Sequence, residues 1–191
     1  MQHAVRLVRA AEHAAMPWKN GGGTTHEIIA FPSRDDFLWR LSIADVAADG
    51  PFSSFPGVAR TIMLLEGNGM RLRTDGAQAV VVREALRPLD FDGDAATDCT
   101  LLDGPVRDFN IMSVRGRIVH RWEVIRTFPF TPLVPPSATT SAVFSAGGRA
   151  RVVAGDWAID LARHDTLLVS APARIDSIAA DSAVLLVSFH A

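Results

Sequence analysis

Of the nineteen Lys and Arg residues in this chain one is lysine, and it sits in the run Pro17-Trp18-Lys19-Asn20-Gly21-Gly22-Gly23-Thr24-Thr25-His26-Glu27. An ammonium is a compact point charge with three rotatable donors. Three consecutive glycines let a ligand or another segment approach the main chain closely. The combination suits capture of an anion, and a glycine turn carrying a solvated lysine accounts for the same run. Trp39-Arg40-Leu41-Ser42-Ile43-Ala44 alternates strictly, so a strand there puts Arg40 and Ser42 on the face opposite Trp39, Leu41 and Ile43. Asp108-Phe109-Asn110-Ile111-Met112 repeats the pattern, with Asp108 and Asn110 opposite Phe109 and Ile111. Two such strands lining one interior would surround a small polar ligand with arginine, serine, aspartate and asparagine. The competing explanation is a polar face turned to solvent on an antiparallel sheet. Asparagine is used only three times, at positions 20, 68 and 110. Asn68 lies between two glycines in a turn, which leaves Asn20 and Asn110 in the two motifs above.

Those side chains need elements to hold them. Gly50-Pro51-Phe52-Ser53-Ser54-Phe55-Pro56-Gly57-Val58-Ala59-Arg60 reads as a rigid aromatic loop that caps a mouth and aims Arg60 inward from a strand entrance. There a guanidinium offers two-point recognition of a carboxylate; an arginine on the surface is the alternative. Short β-rich runs separated by Gly, Asp and Pro turns recur along the chain, so the fold class is expected to be mostly β. The halves echo one another: residues 60–72 and 141–153 each read as an apolar strand, a glycine hairpin and a basic-apolar strand. Each is followed by a further strand and an aspartate turn, at Asp92-Gly93-Asp94 and His164-Asp165. That order suggests two antiparallel β-barrels of the jelly-roll or cupin type packed side by side. The expected organisation is an N-terminal barrel with the ligand pocket over 1–126 and a proline-rich connection over 127–140. A smaller barrel over 141–191 follows, completed by strands from the N-terminal part.

With 48% hydrophobic residues the chain can bury a full core, and a formal charge of -2 with scattered arginines argues against a nucleic-acid partner. No stretch is long and apolar enough to cross a membrane as a helix, and a single cysteine, Cys99, excludes an internal disulfide framework. A cytoplasmic protein is expected. The six histidines, at 3, 13, 26, 120, 164 and 190, form no close pair of the kind a metal-binding cupin uses, so no metal and no cofactor are expected. His26-Glu27 opens like a zinc-protease motif, but Ala30 stands where its second histidine belongs.

Taken together, residues 17–27, 39–44, 50–60, the Leu65-Glu66-Gly67-Asn68-Gly69 segment and residues 103–112 make the chain resemble the HutD/Ves proteins of bacteria. The resemblance implies a metal-free bicupin. It also implies an association with histidine degradation and binding of a formylated intermediate such as N-formylglutamate, or of formate, with no catalytic activity established for the group. It marks Lys19, Asn20, Arg40, Ser42, Arg60, Asp108 and Asn110 as ligand-binding. The family often shows two adjacent arginines after the asparagine strand, where this chain has Ser113-Val114-Arg115.

On this reading Arg60 and Arg40 pair a carboxylate, Ser42 and Asn110 bond a formyl or amide group, and Lys19 closes the site. Replacing Arg60 with alanine is expected to abolish binding with little change in melting temperature. Two other readings stay open. One is acid–base catalysis on a small organic acid by Asp108 or His26; the other is a homodimer formed through the proline-rich segment or an edge strand.

Overall fold

A computed structural model describes residues 5–126, 140–154, 156–170, 173–179 and 182–191. The proline-rich run 128–136, expected as a connecting arm, lies outside them. The described residues form strands throughout, with one 3-10 turn at Ala10–Glu12 and no α-helix. Contacts divide the chain into two units, Ala14–Arg117 and a second made of Met1–His13 with Ile118–Ala191.

In chain order, β1 (Val5–Val8) belongs to the second unit. The first unit then holds β2 (Ala14–Pro17), β3 (Gly23–Pro32), β4 (Phe37–Val46), β5 (Gly50–Pro51) and β6 (Val58–Glu66). It continues with β7 (Met70–Thr74), β8 (Val80–Val82), β9 (Pro88–Asp92), β10 (Thr97–Leu101) and β11 (Val106–Val114). They make an antiparallel six-stranded sheet, β2-β3-β4-β11-β6-β9, and a four-stranded sheet, β5-β10-β7-β8. Ala44, Val46, Ile62, Leu64 and Val106 from the large sheet pack with Met70, Leu72, Val82 and Cys99 from the small one.

The second unit adds β12 (Val119–Ile125), β13 (Thr140–Ser145), β14 (Ala150–Ala154), β15 (Trp157–Leu161), β16 (Thr166–Val169), β17 (Arg174–Ile178) and β18 (Val184–His190). Its sheets run β1-β16-β13-β18-β12 and β15-β14-β17, around an apolar cluster of Val143, Val152, Leu167, Val169, Ile175 and Val184. The unit limits differ from the expected 1–126 and 141–191. β1 pairs with β16 and β12 with β18, so chain from both sides of the first unit completes the second.

The chain is nearly all β as expected; its sheets keep open edges, so what is seen of the expected two jelly-roll or cupin barrels is two pairs of antiparallel sheets. One expectation is corrected: the glycine segments are not hairpins, since β6 lies in the six-stranded sheet and β7 in the four-stranded one, and β13 and β14 are split in the same way. Gly67 and Gly69 (φ +98 and +108) carry that crossing, where a Cβ would stand 2.6 Å from the Pro105 carbonyl oxygen and 2.7 Å from that of Val82. Only glycine combines that backbone with so close an approach.

Register decides what faces the first unit's interior. Arg40, Met112 and Arg60 are cross-strand neighbours on β4, β11 and β6; Ser42, Asn110 and Ile62 form the next row, and Ala44, Asp108 and Leu64 the third. The reverse face carries Leu41, Ile43, Phe109, Ile111 and Met63, all buried. The polar alternation in β4 and β11 is thus not a solvent face, since both sides of these strands are out of water.

Candidate ligand-binding site

At one end of the first unit's interior the apolar packing gives way to a polar chamber of about 90 Å³, bounded by Arg40, Ser42, Arg60, Asp108 and Asn110 and closed by Trp18, Phe52 and Phe55. By volume it has room for several waters or a small acid. Arg60 is its centre and only 6% exposed. Its Nη2 donates to Asn110 Oδ1 at 2.9 Å and its Nη1 to the Ser53 carbonyl oxygen at 3.3 Å. The guanidinium lies 4.7, 5.3 and 5.8 Å from the ring centres of Phe91, Phe55 and Phe52. Such contacts favour a cation that has lost its water. Burial lowers the Arg60 pKa to about 10, with Arg40 contributing in the same direction and Asp108 opposing, so the group remains charged at neutral pH.

Asp108 is fully buried, and its Oδ1 accepts a short hydrogen bond from Asn110 Nδ2. Asn110 thereby bridges the arginine and the aspartate, one end of its amide on each. Burial raises the Asp108 pKa to about 7 against the opposing charge of Arg60 and the Asn110 hydrogen bond, with a further rise from Asp45. Asp108 Oδ2 and Arg60 Nε have no hydrogen-bond partner among the described residues. An unmatched acceptor and an unmatched donor thus line one small cavity. Left so, each costs free energy that a bound polar molecule can recover.

Arg40 is differently placed from the expectation that it pairs a ligand carboxylate. Its Nε donates to Glu27 Oε2 at 2.8 Å, and Glu27 Oε1 accepts from Arg34 Nε at 2.9 Å. Its charge is therefore already matched inside the protein. Glu27, and the phenyl ring of Phe91 on β9, are parts of the site that the sequence reading missed.

An outer compartment of about 470 Å³ adjoins the chamber, sharing Trp18, Thr25, Phe52 and Ser53 and adding Lys19 and Asn20. Lys19 is exposed there. Asn20 turns its Oδ1 toward the Gly22 N–H at 3.0 Å, which shapes the glycine loop. Trp18 Nε1 donates to Thr25 Oγ1 at 2.8 Å, and the indole meets Phe52 edge-on at 5.9 Å. Gly23 makes this packing possible: a Cβ on it would fall 2.4 Å from the Asp45 carbonyl oxygen and 3.0 Å from Trp18. Gly23→Ala is expected to cost about 1–3 kcal/mol and to displace Trp18 from the chamber wall, readable as a lower denaturation midpoint together with a shifted tryptophan emission.

Other candidates fall elsewhere. His26 pairs in register with Ile43, on the reverse face of the sheet, and its Nε2 lies 2.8 Å from Asp45 Oδ2. Asp45 Oδ1 also accepts from Arg107 Nε at 2.6 Å, and that hydrogen bond holds the Asp45 pKa below its usual value. The expectation of His26 as a proton carrier in the pocket is therefore corrected: side chains alternate across the sheet, and this one points away. Arg115 pairs with Asp92 and Asp94 and does not border the chamber. Cys99 is buried in the core, its thiol pushed up to about 12 chiefly by burial, and is no nucleophile at neutral pH. Among the described residues no three His, Cys, Asp or Glu side chains converge as a metal site would require, and no helix is long and apolar enough to cross a membrane.

Two units of paired antiparallel sheets, the first with a polar chamber inside it, make a cupin-like β protein. The fold resembles that of oxalate decarboxylase from Lactobacillus farciminis, with a TM-score of 0.65 over 96% of this chain and 85% of that one; at 8% identity the likeness is one of fold alone. The chain belongs to the HutD family, which it matches over residues 10–187. An uncharacterised 21.2 kDa protein of the hutC 3' region in Pseudomonas putida is 39% identical, over 85% of each chain. Protein Ves of Citrobacter koseri is 40% identical over 73% of this chain and 68% of its own. Among solved structures, HutD from Pseudomonas fluorescens, determined in a formate condition, has a TM-score of 0.85 and 33% identity over 98% of both chains.

Proposed function

We propose that this protein binds a small carboxylate in the chamber of its first unit and serves histidine utilisation by sensing or holding a formylated acid, N-formylglutamate or formate. The observation that carries the reading is Arg60: a charged guanidinium, buried among three phenyl rings, with its Nε unmatched beside a small cavity. Buried cations are costly without an anionic partner at hydrogen-bond distance; there Asn110 supplies a neutral acceptor, and Asp108 offsets the charge only from beyond it. Membership of the HutD family is what ties the reading to histidine utilisation. A one-carbon acid, or the formyl or carboxylate end of a larger one, suits the chamber, and the remainder would occupy the outer compartment beside Lys19.

Titration calorimetry with N-formyl-L-glutamate and with formate tests this directly. Saturable one-site binding supports it; no heat with either acid, at protein concentrations that would reveal a millimolar Kd, removes it. Lys19→Ala is expected to weaken N-formyl-L-glutamate by roughly threefold to tenfold and formate hardly at all. An exposed lysine contributes a partly screened attraction and touches only the longer ligand. Loss of the difference at high salt would accompany it.

A second reading, acid–base chemistry on the bound acid, is favoured by one feature: a carboxyl with a pKa near 7 lines the cavity. Proton NMR of N-formyl-L-glutamate held with the protein would reveal deformylation or exchange, and an unchanged spectrum over days would leave binding alone.

A further inference from the structure

We propose that capture of an anion in this chamber is coupled to uptake of one proton, and that Asp108 is the group that takes it. The inference rests on the binding reading above and goes beyond it by adding a second, chemically distinct occupant.

The charges of the chamber carry the argument. Arg40 is matched by Glu27 at 2.8 Å, and Arg34, half exposed, reaches the same carboxylate from the solvent side. Arg60 is then left with Asp108 as its counter-charge, the two linked through Asn110. With Asp108 ionised the interior is balanced before any ligand arrives. A carboxylate entering between them gains Arg60 but meets Asp108, a like charge in a place nearly without water, where repulsion is weakly screened. One proton on Asp108 removes that repulsion. It also turns Oδ2, which has no partner among the described residues, from an acceptor facing an acceptor into an O–H that donates to the ligand oxygen.

Among the described residues the other titratable groups around Asp108 are differently occupied. Arg60 on β6 stays charged at neutral pH, and Arg40 on β4 is ion-paired with Glu27 at 2.8 Å. Glu27 on β3 is held by two guanidiniums, and Cys99 on β10 is neutral because burial pushes its thiol up to about 12. Asp45, lower down β4, is bonded to Arg107 and His26 on the reverse face. Burial brings the Asp108 carboxyl to about 7, so it can accept a proton at modest cost near neutrality. A bound anion would raise it further, so the bound state holds more protons and affinity falls as pH rises.

The test is calorimetry on the whole protein with formate and with N-formyl-L-glutamate, both fully ionised from about pH 6 to about pH 9. At about pH 8 the apparent binding heat should change with the ionisation heat of the buffer, with a slope of about one proton taken up. Across the range above about pH 7 the Kd should rise by about tenfold per pH unit. Asp108→Asn, which fixes the neutral state, should flatten that profile and cancel the buffer dependence. Wild-type binding that is independent of buffer and of pH overturns the coupling while leaving the binding reading in place; absence of binding at every pH removes both. If the asparagine variant does not fold, the wild-type buffer series decides alone. A variant that binds and keeps the full slope assigns the proton elsewhere and overturns the role given to Asp108.

Discussion

Arg60→Ala should abolish binding of N-formyl-L-glutamate and formate, a loss of at least about a hundredfold in Kd, because it removes the one buried guanidinium of the chamber not matched by a close carboxylate. The sequence reading pairs this loss with a nearly intact melting temperature, and the structure argues against that part. Arg60 bonds Asn110 and Ser53 and fills the space between Phe91, Phe55 and Phe52. Its removal leaves a void and deprives a fully buried Asp108 of its counter-charge. The cost should be on the order of 3 kcal/mol, moderated because Asp108 can take up a proton, and equivalent to a fall of roughly 6–12 °C in midpoint. Thermal unfolding followed beside the calorimetry separates the two effects. Arg60→Lys keeps the charge without the planar fork and should recover part of the stability and little of the affinity. Full affinity in the lysine variant would mean that the fork is not what recognises the ligand.

Asp108→Asn is expected to raise stability above neutral pH. The sign follows from the raised pKa: between about 4 and about 7 the folded chain holds a proton on Asp108 that the unfolded chain has released, so stability falls as pH rises through this window. Above it the ionised carboxylate remains a burden of up to about 4 kcal/mol, taking about 1.4 kcal/mol for each pH unit between the two values. Asparagine keeps a neutral side chain of the same shape at every pH. Denaturant unfolding from about pH 5 to about pH 9 should therefore show the two proteins converging at the acid end and separating at the alkaline end, the variant above. A wild-type curve that rises through the window instead would mean that Asp108 is stabilised in its ionised form.

Much of the chamber can be read in the sequence because a strand alternates with a period of two. Once residues 39–44 and 108–112 are taken as strands, Arg40, Ser42, Asp108 and Asn110 fall on one side each, and the structure adds that β4 and β11 are neighbours with Ser42 opposite Asn110. What alternation does not reveal is which strand lies alongside. Glu27 reaches Arg40 because β3 pairs with β4 through a bulge between Glu27 and Ile29, and Phe91 reaches Arg60 because β9 pairs with β6. Both contacts are set by register between distant segments. His26 was misjudged for the same reason, since its neighbour Glu27 faces inward and a shift of one residue reverses the face. The glycine segments were legible as places where the chain turns, but the close approach of Gly67 to Pro105 that sends β7 into another sheet depends on residues far along the chain.

The phenylalanine enclosure of Arg60 bears on kinetics as well as affinity. An arginine on an open surface gives up much rotamer freedom when it grips an anion, and that loss offsets part of the attraction. Here Phe91, Phe55 and Phe52 surround the side chain, so its entropy is surrendered during folding and association has little left to lose. On the binding proposed above, such preorganisation would let a ligand of only a few heavy atoms be held usefully tightly and released quickly.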